Sequence, residues 1–252
     1  MWGNTYHRDT FINAFKHDTL HTSYCFFGDG GVGKTTTARE IASYIETGTF
    51  EPTTMVDTYI FTPNEKGSLG IEEVRNIKEF CSSAPLRAKR KIAIIQSGDA
   101  ITNHAQSALL KLVEEPPEHS LIIIIVKNKD ILFPPLLSRL HTLYFPRYSR
   151  KQIVDFLVEI KKVNGNIAEQ IALRSLGSLG RAIEHLEKKD EEIAKENTLE
   201  YLEQRIEYFY TKGLIQYSGL LKKLLKKESE LHEFVLNGPL QKRSIQYFES
   251  EV

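Results

Sequence analysis

The sequence predicts an α/β fold, a parallel sheet covered by helices and followed by a purely helical region, and three observations carry that prediction. Short aliphatic runs alternate with amphipathic stretches from about residue 8 to residue 145. A glycine-rich turn joins the first such run to the helix behind it, and from Ser149 onward only helical periodicity remains. Strands that alternate with helices imply right-handed crossovers and a parallel sheet, with ligands at the carboxyl ends of the strands.

Residues 8–19 form a short amphipathic helix carrying Phe11, Ile12 and Phe15. Residues 24–27 are the first strand, residues 37–45 have helical periodicity after the turn, and residues 58–62 are a second short strand. A loop with Pro63, Asn64, Gly67 and Gly70 leads to a helix whose Ile71, Val74, Ile77 and Phe80 share one face. Residues 91–95 are the third strand, and residues 105–113 are a helix that Pro116-Pro117 stops. Residues 121–126 are a fourth strand, continuous enough to be buried on both faces, and residues 142–145 are a fifth. Three helices follow, over residues 151–163, 167–176 and 181–192, the first ending at Asn164-Gly165 and the second at Gly177. Beyond residue 198, Leu199, Leu202, Ile206 and Phe209 recur at helical spacing, and Lys222, Lys223, Lys226 and Lys227 make a basic face of the kind usually left to solvent.

The turn after the first strand reads Gly28-Asp-Gly30-Gly31-Val32-Gly33-Lys34-Thr35-Thr36, which meets the full Walker A spacing of a P-loop. Glycines let such a loop turn its backbone N–H groups onto phosphate oxygens, and the helix N-terminus adds partial positive charge. In this frame Lys34 reaches the β- and γ-phosphates and Thr35 sets its hydroxyl on Mg²⁺, so ATP or ADP with Mg²⁺ is the expected ligand. Asp29, an acid inside a loop built for anions, tempers the expected affinity.

Composition narrows the alternatives. The chain has 252 residues, 41% of them apolar, and zero formal net charge, so no chain-wide basic footprint for nucleic acid is present. Arg87, Lys89, Arg90 and Lys91 are the best local candidates for contacting a phosphate backbone. The two cysteines, Cys25 and Cys81, fit a reducing compartment and cannot form a four-cysteine zinc site, and the eight histidines show no ligand spacing. The first residues lack an apolar signal core and no aliphatic run is long enough to span a bilayer, so a cytoplasmic protein without membrane contact is expected.

Several stretches together carry a resemblance. Ser107-Ala-Leu-Leu-Lys-Leu-Val-Glu-Glu-Pro-Pro117 resembles the alanine-leucine-leucine-lysine, glutamate-glutamate-proline segment of bacterial DNA polymerase III clamp-loader subunits. Pro134-Pro-Leu-Leu-Ser138-Arg139 resembles their serine-arginine-cysteine motif with Leu140 in the cysteine position, and Ile71-Glu-Glu-Val-Arg75 and Gly177-Ser-Leu-Gly-Arg-Ala-Ile183 fit in order and spacing. The resemblance implies an AAA+ fold: a P-loop nucleotide-binding domain over residues 1–147, a three-helix lid over 148–195 and a helical, collar-like domain over 196–252. It also implies a place in the DNA polymerase III holoenzyme beside motor and delta-like subunits, loading a sliding clamp onto primed DNA, with this chain reaching clamp and DNA through the complex. The usual cysteine zinc insertion is absent, and the region after residue 198 is shorter than a complete collar.

The departures from the family pattern point to a delta-prime type of subunit. Hydrolysing members end the third strand in an Asp-Glu pair; here Gln96 and Ser97 stand there, and neither is a base near neutral pH. Asp99 comes three residues late and is read as a loop residue, and the polar position after the fourth strand falls at Val126 or Lys127. Gly180 takes the place of the lid arginine, and Arg181 follows one residue on, turned about 100° around its helix. What the resemblance leaves such a subunit is Arg139, facing a neighbour's nucleotide in trans as an arginine finger, with Ser138 capping or orienting the turn. The alternative for Arg139 is an ion pair on its own surface. Two other functions stay open: a gamma/tau-like ATPase in which Asp99 or Glu114 replaces the missing acids, and a nucleotide-gated binding module outside replication.

Overall fold

The computed structural model describes residues 5–50 and 54–187, with single helical positions at Ile206 and Lys226. The expected C-terminal helical domain and all but one lysine of its basic face therefore lie outside the described residues. The chain divides into two compact units: residues 1–148 with Ser178–Gly180, and residues 149–177 with those from 181 onward.

In the first unit, helix α1 (Thr5–Lys16) precedes strand β1 (Ser23–Phe27) and helix α2 (Lys34–Thr47). Strand β2 (Thr58–Phe61), helix α3 (Ile71–Ser82), strand β3 (Lys91–Ile95), helix α4 (Asn103–Glu114) and strand β4 (Ser120–Val126) follow, and a single helical turn, α5 (Pro134–Leu137), precedes strand β5 (His141–Tyr144). The strands form one sheet in the order β2-β3-β4-β1-β5, with every pairing parallel.

β4 lies at the centre, between β3 and β1, and all seven of its residues are buried, because helices cover both faces of the sheet. The alternation of side chains sorts the core into two layers. Cys25, Ala93, Ile95, Ile122, Ile124 and Val126 pack with α3 and α4 through Val74, Ile77, Leu109 and Leu112. Tyr24, Phe26, Ile92, Ile94, Leu121, Ile123 and Ile125 pack on the other side with Phe11 of α1 and Ala38, Ile41 and Ala42 of α2.

The basic stretch before β3 is not the surface patch that the sequence suggests. Asp57, with no exposed side chain, accepts the backbone N–H groups of Leu86, Arg87 and Ala88 at 2.8, 2.6 and 2.8 Å and pairs with Lys91 Nζ at 3.0 Å. Arg90 donates to the carbonyls of Ser120 and Leu20 at 3.4 and 3.3 Å. Lys91 and Arg90 are therefore spent on holding the loop to the sheet, and only Arg87 and Lys89 stay exposed.

The second unit holds α6 (Arg150–Glu159), α7 (Gly165–Arg174) and most of α8 (Leu179–Glu187). Ser149 and Gln152 form a reciprocal cap at the start of α6, and Ile153, Phe156 and Leu157 are buried, as are Ala168, Ile171 and Ala172 of the adjacent α7. α6 ends at Glu159, short of residue 163, because Lys162 takes a left-handed φ of 57° and the Val163 N–H turns back to the Leu157 carbonyl. α8 begins at Leu179, two residues before its expected start.

Candidate functional site

The P-loop sits at the carboxyl end of β1, in the first turn of the chain's first parallel crossover. Gly28 takes φ 140°, and a Cβ there would stand 2.3 Å from the Phe145 carbonyl oxygen, so only glycine lets the loop pass so close to the end of β5. α2 begins directly after Gly33, a left-handed N-cap with no side chain to offer, which leaves its first-turn N–H groups at Lys34, Thr35 and Thr36 without an intrahelical acceptor. Val32 is buried in the core and anchors the loop from beneath; Gly30 and Gly31 are exposed at its crown. Their carbonyls accept from Ser178 Oγ at 3.0 Å and from the Gly180 N–H at 2.8 Å within the same unit.

Lys34 is 7% exposed, and its ammonium donates to the carbonyls of Gly28 and Asp29 in its own loop. Burial pulls its pKa below the usual lysine value, and the charges of Asp99 and Asp29 offset part of that pull. The Asp29 carboxylate is itself paired with Arg147 at 2.6 Å, a contact across 118 residues that no sequence spacing announces.

β3 gives way at once to a tight turn. Ser97 takes a left-handed φ of 61°, and Gly98 is pressed so close to β4 that a Cβ would lie 2.8 Å from both Ile124 Cγ2 and Val126 Cγ1. Gln96 is half-buried and Ser97 exposed, and neither carries an acid. Asp99, read as a loop residue, lies in the short turn after β3 and accepts the Lys127 backbone N–H with both carboxylate oxygens, at 2.8 and 3.1 Å. Val126 is buried at the end of β4, and the Lys127 carbonyl accepts the Gly28 N–H at 3.1 Å.

Arg139 lies two residues past α5, which Pro134 opens at its first position, so the proline pair starts a helical turn. Its guanidinium pairs with Glu114 at 2.7 Å and donates to the Pro135 carbonyl at 3.0 Å. Ser138 closes the turn as its C-cap, donating to the same carbonyl at 2.8 Å, and its hydroxyl stands 3.4 Å from Arg139 Nη1. The surface ion pair expected as the alternative for Arg139 is thus formed, with 43% of the arginine side chain still exposed. Glu114 is held there at the end of α4. Arg181 stands on α8 in the second unit.

The P-loop backbone, the uncapped α2 N-terminus, Lys34 and Thr35 fit the phosphates of a nucleotide. The acid pair that would complete a Mg²⁺ site and polarise water is absent from Gln96 and Ser97. Among the described residues no group of three or more His, Cys, Asp or Glu side chains is placed to hold a metal ion. No described helix is long and apolar enough to cross a membrane.

A parallel sheet in this strand order, with a P-loop after its β1 strand, is the fold of AAA+ proteins. A solved structure from Thermotoga maritima, a DNA polymerase III gamma subunit-related protein, is similar, the match covering 95% of this chain and 90% of that one with a TM-score of 0.50 at 18% identity. The family described as DNA polymerase III, delta subunit matches residues 3–149, and this chain belongs to that family of clamp-loader subunits. Among curated relatives it is 30% identical to the DNA polymerase III gamma subunit of Buchnera aphidicola, over 73% of this chain and 56% of that protein. It is 27% identical to the delta' subunit of Bacillus subtilis, over 64% and 56%. The chain spans just over half the length of these two relatives and 22% of the tau subunit of Escherichia coli.

Proposed function

We propose that this chain is a delta-prime-like clamp-loader subunit of the cytoplasmic DNA polymerase III holoenzyme: it holds ATP or ADP with Mg²⁺ at Gly28–Thr36 without hydrolysing it, and presents Arg139 to a neighbouring motor subunit. The observation that carries the reading is the end of β3, where Gln96 and Ser97 supply no carboxylate and the nearby Asp99 is consumed by the Lys127 N–H. A carboxylate whose two oxygens share one backbone N–H is a poor candidate for a base that must turn toward water.

In this reading Lys34 would exchange its two loop carbonyls for phosphate oxygens, the backbone N–H groups of residues 30–36 would supply the remaining donors, and Thr35 would help hold Mg²⁺. The metal's chemistry, neutralising phosphate charge, is then used for holding rather than for transfer. Arg139 serves the neighbour's site, where a guanidinium stabilises charge on the transferring phosphoryl group; such fingers are worth roughly 10³ to 10⁵ in rate in other nucleotidases. The lid, with Arg181, and the residues 196–252 as a collar would join it to motor and delta-like subunits, and through them to the clamp and primed DNA.

A gamma/tau-like ATPase is the second reading, favoured by the intact P-loop and by relatives named gamma and gamma/tau. Steady-state turnover and nucleotide binding by the isolated chain separate the two. Binding without turnover supports the delta-prime reading; turnover that disappears in Asp99→Ala supports the ATPase.

A further inference from the structure

We infer that Glu114 is the positioning residue of the Arg139 finger, and that α4 serves as the splint on which that finger is mounted; the inference rests on the trans-acting reading of Arg139. The segment from Ile131 to Leu140 is bound to α4 in two ways. Leu132, Leu136 and Leu140 are buried in one core cluster with Leu109, Leu112 and Val113. Gln106, 2% exposed, clamps the backbone between them, donating to the Ile131 carbonyl at 3.2 Å and accepting the Phe133 N–H at 2.7 Å. The backbone that carries Arg139 is therefore as rigid as the helix beneath it.

A long side chain on a rigid backbone still samples many rotamers, and an arginine that must meet a phosphate loses that freedom on arrival. Glu114, the last residue of α4, removes it beforehand. Its Oε1 lies 2.7 Å from Arg139 Nη2, while the Pro135 carbonyl takes Nη1 at 3.0 Å. Nε makes no hydrogen bond among the described residues, so the guanidinium is held by two of its nitrogens and keeps donors for a second anion. Both side chains are over a third exposed, at 43% and 38%, so the pair is open to an approaching neighbour. An ion pair this exposed contributes little to stability, which leaves orientation as its main consequence.

The test is ATP turnover by the motor subunits of a reconstituted clamp loader containing this chain, measured as kcat and KM. Glu114→Ala is expected to lower kcat about threefold to tenfold at unchanged KM, landing between wild type and Arg139→Ala. Glu114→Gln, which keeps a hydrogen-bonding oxygen, should recover most of the loss, and Glu114→Ala added to Arg139→Ala should cost nothing more. If Arg139→Ala lowers turnover and Glu114→Ala does not, the positioning role is wrong and the finger stands. A double variant that falls well below Arg139→Ala would show a structural role for Glu114 and overturn the inference. Turnover indifferent to Arg139→Ala overturns the finger reading itself.

Discussion

Asp99 grips the backbone N–H of Lys127 with both carboxylate oxygens, at 2.8 and 3.1 Å, while the Lys127 carbonyl accepts the N–H of Gly28. One residue thus ties the end of β4 to the P-loop on one side and to the turn after β3 on the other. The carboxylate that stands nearest the missing catalytic acids is a structural brace. Asp99→Ala should therefore destabilise the fold by about 1–2 kcal/mol, the worth of a hydrogen bond to a charged acceptor near solvent. Denaturant unfolding checks the stability, and turnover of the isolated chain should be as low in the variant as in wild type.

Gly28→Ala should lower stability by about 1–3 kcal/mol and weaken nucleotide binding together. The new Cβ would fall 2.3 Å from a backbone oxygen of Phe145, at a φ of 140° that side chains rarely adopt, so relief requires moving β5 or the loop. Thermal unfolding with and without ADP reads both effects.

Asp57 makes stability depend on acid. Burial alone would raise its carboxyl, but the N–H groups of Leu86, Ala88 and Arg87 and the Lys91 ammonium outweigh it and hold the group well below the usual carboxylate range. A carboxyl whose folded pKa is depressed stabilises above its unfolded value of about 3.9 and loses that contribution as pH falls through the folded value. Asp57→Asn should cost about 3–5 kcal/mol at pH 7, since it leaves Lys91 buried and unpaired. The gap to wild type should narrow as pH drops below about 4, as urea titrations across pH would show.

Both thiols should be inert in the native protein. Burial pushes Cys25 and Cys81 up to about 12, with the Asp99 charge adding to the effect at Cys25 and Lys91 opposing it at Cys81. Alkylation at pH 8 should proceed only at the rate of unfolding. Rapid labelling of the folded chain would show that the sheet opens far more readily than its two-sided core implies.

Much of this fold was legible because hydrophobic runs and turn residues are local. The five strands fall within a residue or two of their expected bounds, and β3 falls on Lys91–Ile95 as read. The P-loop was equally plain, since its chemistry lies in one continuous stretch. What spacing could not show were pairings between residues far apart in the chain: Lys91 with Asp57, Asp29 with Arg147, Arg139 with Glu114. The first of these turned a basic stretch that resembled a phosphate contact into a buried brace. The tight turn after β3 was hidden for a related reason: it follows from the packing of Gly98 against β4, which only the strand order brings about.

The most direct measurement is ATP turnover by the isolated chain, and then by its motor subunits assembled with wild type or with Arg139→Ala. The proposed function predicts no turnover by the isolated chain despite nucleotide binding, and turnover in the complex that falls by well over about tenfold when Arg139 is removed. Robust turnover by the isolated chain that survives Arg139→Ala would contradict it and make this chain a motor.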